Sequence, residues 1–245
     1  MASGVQSVAR AFGILELLAG AGGGLSVSEL AQTSGLPLPT IHRLVRTLVD
    51  LGHVHQLSDR RYTLGPRLIG LGDRASEVLG ARVGTDLRSL AERIGETANM
   101  AVLDGERAVY TAQVPSPHSM RTFTEVGRRV FLHSTGVGKA LLAQLPVVQA
   151  RRLLETAGMP GQTGHTVVDV GTLLDELDVV RLIGHAVDAE EQEDGVFCVA
   201  VPVPGAPSPS ALSVSGPTSR FSADRTDEAA VLLRAAAARL AGRFG

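Results

Sequence analysis

Residues Leu25 to Leu48, LSVSELAQTSGLPLPTIHRLVRTL, constrain the fold more than any other stretch, because their punctuation is that of two short helices joined by a tight turn. Ser26 and Glu29 make an S-x-x-E capping box, in which each side chain satisfies an orphaned backbone N–H, and Leu25 and Leu30 occupy the staple positions. Gly35 supplies a left-handed turn, and Pro37 and Pro39 fall where the next helix begins and its first N–H groups lack acceptors anyway. In that second helix Ile41, Leu44, Val45 and Leu48 recur at i, i+3, i+4, i+7 and define a buried stripe. Pro39, Arg43, Arg46, Thr47 and Asp50 fall on the opposite side. An arginine-bearing face that periodicity leaves outside makes DNA the first candidate partner; an ordinary antiparallel helix pair of an all-α domain is the competing reading.

The residues that follow favour DNA. After Gly52, HVHQLSDRRYTLG alternates around a polar Ser-Asp-Arg-Arg centre and reads as a β-hairpin with Arg60 and Arg61 at its tip. A hairpin with two guanidinium groups behind a recognition-type helix suits a winged helix-turn-helix, whose wing grips phosphates while the helix addresses the major groove. The candidate DNA-contacting set is Ser26, Pro39, Thr40, His42, Arg43, Arg46 and Thr47 in the helix pair, with Arg60 and Arg61 on the wing. The whole chain carries a formal net charge of -2, so no global positive field draws it to nucleic acid. Residues 1–70 hold six basic side chains (Arg10, Arg43, Arg46, Arg60, Arg61, Arg67) and four acidic ones (Glu16, Glu29, Asp50, Asp59), a local balance of +2. That excess is small, so tight binding calls for two copies of the domain on one site.

Val5, Val8, Phe12, Leu15 and Leu18 recur at helical spacing ahead of the pair and predict a first helix packed behind it, ending in the AGAGGG loop. Residues 1–65 are thus expected to form the winged domain. From Pro66 the apolar pattern continues as a helix or broken helix pair with a bend near Gly80 or Gly84, read as a linker helix over 66–84. The remainder, 85–245, changes character. TANMAVLDGERAVYTAQV has two apolar segments around Asp104-Gly105, a hairpin signal, and GHAVDAEEQEDGVFCVAVPVPG and ALSVSG supply further β-rich segments. Helices are predicted at 136–144, 147–156, 172–182 and 226–243. Antiparallel strands interspersed with helices predict an α+β sensory domain. One cysteine, Cys198, excludes an intramolecular disulfide and a multi-cysteine zinc site. No apolar run is long enough for a bilayer and no signal peptide is recognisable, so a cytoplasmic protein with no membrane partner is expected.

Five blocks in order, GVQSVARAFGILELL, GLPLPTIHRLVRTLVDLGHV, RRYTLGPRLIGLG, HSTGVGKALLA, and EDGVFCVAVPVPG followed by ALSVSGP, resemble the IclR family of bacterial transcriptional regulators over nearly the whole chain. The resemblance implies a winged DNA-binding domain, a linker helix used in dimerisation, and a C-terminal effector-binding domain of GAF-like (profilin-like) shape. It also implies dimers that associate into tetramers, repression as the commoner mode, operator DNA and a small-molecule effector as partners, and no cofactor.

The loop Gly136-Val137-Gly138-Lys139-Ala140 invites a nucleotide-binding reading, but a P-loop needs glycine and serine or threonine where this chain has His133 and Ala140. A helix N-terminus with small residues still suits a carboxylate; close packing is the alternative use of its glycines. The resemblance makes Gly136, Val137 and Gly138 part of the effector pocket. Ser213 and Ser215, two apart on a predicted strand, face one side, while Cys198, between Phe197 and Val199, reads by itself as a buried core thiol rather than a reactive one. In the glyoxylate-binding repressors of allantoin utilisation an Asp, a Cys ten residues later and a Ser-x-Ser pair contact the ligand, and Asp188, Cys198, Ser213 and Ser215 preserve that pattern. The segment 114–129 is the part most similar to those regulators, and its Met120 and Arg121 offer an apolar wall and a cation, although a surface salt bridge is the other role for Arg121. The expected effector is allantoin, allantoate, glyoxylate or a similar carboxylate, with aromatic or other carboxylic acids as the alternative. An enzyme is not expected, since the chain lacks a G-x-S-x-G elbow, a metal-spaced His and Glu pair and a dinucleotide fingerprint.

Overall fold

The structure, a computed structural model, describes residues 5–80, 83–118 and 124–244. The chain divides by its internal contacts into a unit of residues 1–75 and a unit of residues 76–245.

The first unit contains helices α1 (Gln6–Gly20), α2 (Val27–Ser34) and α3 (Leu38–Asp50), the two-stranded wing β1 (Val54–Gln56) and β2 (Tyr62–Leu64), and the start of α4 (Arg67–Gly80). The capping box forms as read: Ser26 Oγ accepts from the Glu29 N–H at 3.2 Å, and Glu29 Oε2 accepts from the Ser26 N–H at 2.7 Å. Gly35 turns the chain at φ 69°. Leu30, Ile41, Val45, Leu48 and Val54 join Ile14 and Leu18 in one core, against which Leu44 is partly buried. The Leu25 backbone pairs with Tyr62 in both directions, at 2.9 and 2.7 Å, tying the wing to the start of the helix pair.

The predicted stripe of α1 needs correction. Val5, Val8 and Phe12 are exposed, and the core side carries Ile14 and Leu18 with Ala11, Leu15 and Leu17 partly buried. At about 100° per residue the helix has two adjacent apolar faces; of the selected residues Val5, Val8 and Phe12 lie on the outer one, Leu15 near the boundary and Leu18 on the core side.

The second unit is a six-stranded antiparallel sheet in the order β5-β4-β3-β8-β7-β6. Its strands are β3 (Thr97–Asp104), β4 (Arg107–Val114), β5 (Arg129–Phe131), β6 (Ala186–Ala189), β7 (Val196–Pro202) and β8 (Ser210–Pro217). Helices α5 (Gly84–Ile94) and α9 (Thr226–Phe244) bury one face with Met100, Val199, Leu212 and Val214. Helices α6 (Gly136–Leu142), α7 (Val147–Ala157) and α8 (Val170–Ile183) cover the other with Ala101, Tyr110, Ala186, Ala200 and Ala211. The fold is α+β, as expected. Among the described residues no helix is long and apolar enough to cross a membrane.

Strand alternation then decides which side chains meet. Counting in twos from Ala186, Ala200, Ala211 and Ala101 puts Asp188, Cys198, Ser213, Ser215 and Asn99 on the α6 face. A bulge opposite Met100 and Ala101 shifts the register of β4, which brings Tyr110 to that face while Ala112 stays on the other.

Candidate functional site

Two surfaces carry the residues singled out from the sequence. On the first unit, Pro39, His42, Arg43, Arg46 and Thr47 are exposed along α3, with Thr40 half-buried. Pro39, His42, Arg43 and Arg46 line a recess of about 560 Å³ between α3 and the wing, closed by Val49, Gln56 and Tyr62. The tip holds Arg60 at φ 66°, and the Arg61 N–H donates to Asp59 Oδ1 at 3.0 Å, leaving both guanidinium groups exposed. Two residues stand apart. The Thr47 hydroxyl donates to the Arg43 carbonyl at 3.0 Å, and Thr47 lines a different recess, between α1, α3 and α4. Ser26 is committed to its cap, with its hydroxyl oxygen and its N–H both engaged by Glu29.

On the second unit, Gly136, Asp188, Cys198 and Ser215 line a single small cavity of about 40 Å³. The ten-residue separation of Asp188 and Cys198 has a simple cause: they are register partners across β6 and β7, and Cys198 is in turn the partner of Ser215 on β8. Asp188 is 3% exposed, and its Oδ1 accepts from the Glu191 N–H at 2.8 Å and the Gln192 N–H at 3.3 Å. Burial pushes its carboxyl up to about 7, and the Glu191 carboxylate adds to the rise against those two backbone donors. Burial, and then the neighbouring Asp188 charge, also raises the Cys198 thiol, while Ser213 and the Gly136 N–H pull the other way. Tyr110 is raised by burial first and by Cys198 and Asp188 next. Thiol and phenol are therefore neutral hydrogen-bonding groups at ordinary pH.

The remaining sequence-chosen residues are placed otherwise. Ser213 is fully buried behind the cavity, where Asn99 Nδ2 donates to its Oγ at 3.5 Å and to Ser215 Oγ at 3.3 Å. Val137 points into the core beneath α6. At Gly138 any Cβ would stand 2.3 Å from the Leu132 carbonyl oxygen, and its N–H donates to Thr135 Oγ1 at 3.1 Å. A Cβ at Gly136 would meet Cys198 Sγ at 3.0 Å, so close packing is one real use of these glycines. Met120 and Arg121 lie outside the described residues.

Sequence reading passed over several groups. Asn99, fully buried, accepts from Gln113 Nε2 at 3.2 Å and from Thr124 Oγ1 at 3.0 Å, so one amide links the serine pair to β4 and to Thr124 on the cavity wall. Tyr110, Arg128 and Gln192 line the cavity as well, with Arg128 on its exposed side. The Arg128-Arg129 doublet was a readable signal; Asn99 had none. Lys139, fully buried, donates from Nζ to Glu191 Oε1 at 2.6 Å, Glu176 Oε1 at 2.7 Å and the Val187 carbonyl at 3.1 Å. It braces the two sides of Asp188 and has no donor directed at a phosphate. Among the described residues no group of three His, Cys, Asp or Glu side chains could hold a metal ion.

A family model described as IclR helix-turn-helix domain matches residues 7–58, and one described as bacterial transcriptional regulator IclR C-terminal matches residues 78–241. The transcriptional repressor IclR of Escherichia coli strain K12 is 37% identical over 244 residues, spanning 95% of this chain and 88% of that protein. The regulator KdgR of Dickeya chrysanthemi is 34% identical over 246 residues, spanning 98% and 80%. The repressor AllR of E. coli K12 is 34% identical over 232 residues, spanning 91% and 84%. Among solved structures, the IclR transcriptional regulator from Alicyclobacillus acidocaldarius matches with a TM-score of 0.85 at 29% identity, covering 99% of this chain and 100% of that one.

Proposed function

The chain belongs to the IclR family of bacterial transcriptional regulators, and from that premise we propose a repressor that responds to a two- or three-carbon oxoacid of about the size of glyoxylate. The observation that carries the effector class is the convergence of Gly136, Asp188, Cys198 and Ser215 on one cavity, with Tyr110 and Arg128 beside them. Its volume of about 40 Å³ corresponds to roughly three water-sized positions. That suits glyoxylate, the smallest of the purine-degradation signals considered, and is small for allantoin or allantoate. KdgR and AllR share nearly the same identity with this chain, so kinship favours neither of their pathways and the effector class rests on the cavity.

The DNA side of the reading places α3 in the major groove with Arg43 and Arg46 toward the bases, and Arg60 and Arg61 on phosphates. The recess between α1, α3 and α4, about 520 Å³ and lined by Val8, Phe12, Leu44, Leu51, Leu68 and Leu71, is where a second copy docks to form the working dimer. Two such dimers form the tetramer. Effector in the cavity of the second unit favours one arrangement of the paired recognition helices, and operator affinity changes by its preference between arrangements.

A thermal-shift series with glyoxylate, pyruvate, allantoin and allantoate tests the effector class, because a ligand specific to the folded state stabilises it by mass action, about 2.7 kcal/mol at a hundredfold excess over Kd. Stabilisation by the two oxoacids and none by the two ureides is expected. Stabilisation by allantoin with none by glyoxylate would overturn the size argument.

A further inference from the structure

We propose that Asp188 takes up one proton when the anionic effector enters the cavity and then serves as a hydrogen-bond donor to it, so that the protein reads pH together with its ligand. The inference rests on the carboxylate reading above and concerns how that site tolerates an anion.

The geometry sets up the difficulty. Asp188 is a wall of a cavity of about 40 Å³, roughly three water-sized positions, so a carboxylate that fills it lies within direct reach of Asp188. Two carboxylates held that close in a low-dielectric site do not both ionise. The groups packed around Asp188 do not supply a cation of its own. From α6, Lys139 directs Nζ to Glu191, Glu176 and the Val187 carbonyl. Among these four buried or half-buried groups the carboxylates outnumber the ammonium, so Lys139 is already matched without Asp188. From the loop after β6 come Glu191 and Glu193, both of like charge; from β7 comes the Cys198 thiol, and from β4 the Tyr110 phenol. Arg128 lines the cavity from its exposed side, where it can meet the anion's outer edge while Asp188 meets the inner one.

The hydrogen bonds assign the proton to one atom. Both backbone donors, from Glu191 and Gln192, go to Oδ1, so Oδ2 is the oxygen that carries hydrogen and presents it to the ligand. Burial already holds the carboxyl at about 7, and a second negative charge raises it further. The proton comes from solvent, and no bond other than O–H is made.

The test is calorimetric titration of the full chain with glyoxylate, an anion throughout the range, between pH 6 and pH 9, each point in two buffers of different ionisation enthalpy. Expected are uptake of close to one proton above pH 8 and a Kd that rises about tenfold per pH unit there. Asp188→Asn, which donates without a proton to gain, is expected to bind with a Kd that does not change with pH. Binding that is pH-independent and buffer-independent in the unsubstituted protein overturns the inference and leaves the effector reading standing. So does loss of binding in a folded Asp188→Asn variant. Absence of glyoxylate binding at every pH overturns both.

Discussion

Asp188 carries a cost for the folded protein that is separate from its proposed contact with a ligand. Its carboxyl is held at about 7 against an ordinary value of 3.8, so the folded state binds more protons than the unfolded one between those limits. Below about pH 4 both states are protonated and no penalty exists; stability is lost as pH rises through the interval, and the loss is complete above about 7. Its full size is on the order of 4 kcal/mol. Asp188→Asn should therefore gain stability relative to the unsubstituted protein as pH goes from 4 to 8, read as the difference in urea midpoints of the second unit; a difference constant with pH would contradict this. Single residues were legible where a local rule applied. The Ser26 cap and the Gly35 turn follow from neighbours within four positions; the Asp188–Cys198 pair was legible only through the family resemblance, and the β6–β7 register supplies its physical cause. Asn99 was hidden because its partners Ser213 and Ser215 lie 114 and 116 positions away, and Lys139 because Glu176 and Glu191 lie 37 and 52 positions away.

At the scale of elements, α3 and the wing offer arginines of different consequence. Arg43 and Arg46 sit in the recess beside the wing, while Arg60 and Arg61 stand exposed at its tip. Arg43→Ala should weaken specific operator binding more than non-specific binding, by about 1–3 kcal/mol. Arg60→Ala should weaken both alike and lower the slope of log affinity against log salt by about 0.9 for each copy bound. Anisotropy titrations on operator and random duplexes at three salt concentrations separate the two, and equal losses would argue against the division. Helix limits and the wing were readable from caps and alternation. The face of α1 was not: Phe12, 62% exposed, and Ile14, 1% exposed, are both apolar on a helix with two apolar sides, and only the position of α2 and α3 chooses between them. Similarly Val137 belongs to a glycine loop by sequence and to a core by structure, because a seven-residue helix buried along its length turns most of its side chains inward.

The whole molecule is an IclR-family regulator with a helix-turn-helix unit and a C-terminal unit, and its weak charge favours the proposed assembly into dimers. A winged unit with so small a basic excess gains affinity by doubling its phosphate contacts, which is why the apolar recess containing Phe12 matters. Phe12→Arg should leave each copy folded, since within one chain that side chain is mostly exposed, yet reduce operator affinity at least tenfold and shift sedimentation toward smaller species; undiminished affinity would exclude the recess as a dimer contact. The most direct check is operator affinity itself, measured by anisotropy on a fragment that the full chain selects from genomic DNA, with and without saturating glyoxylate at pH 7. Coupling of about 1 to 3 kcal/mol, a 5- to 150-fold change in Kd, is expected. An operator Kd that glyoxylate and pyruvate both leave unchanged, although each binds, would contradict communication between the cavity and the recognition helices.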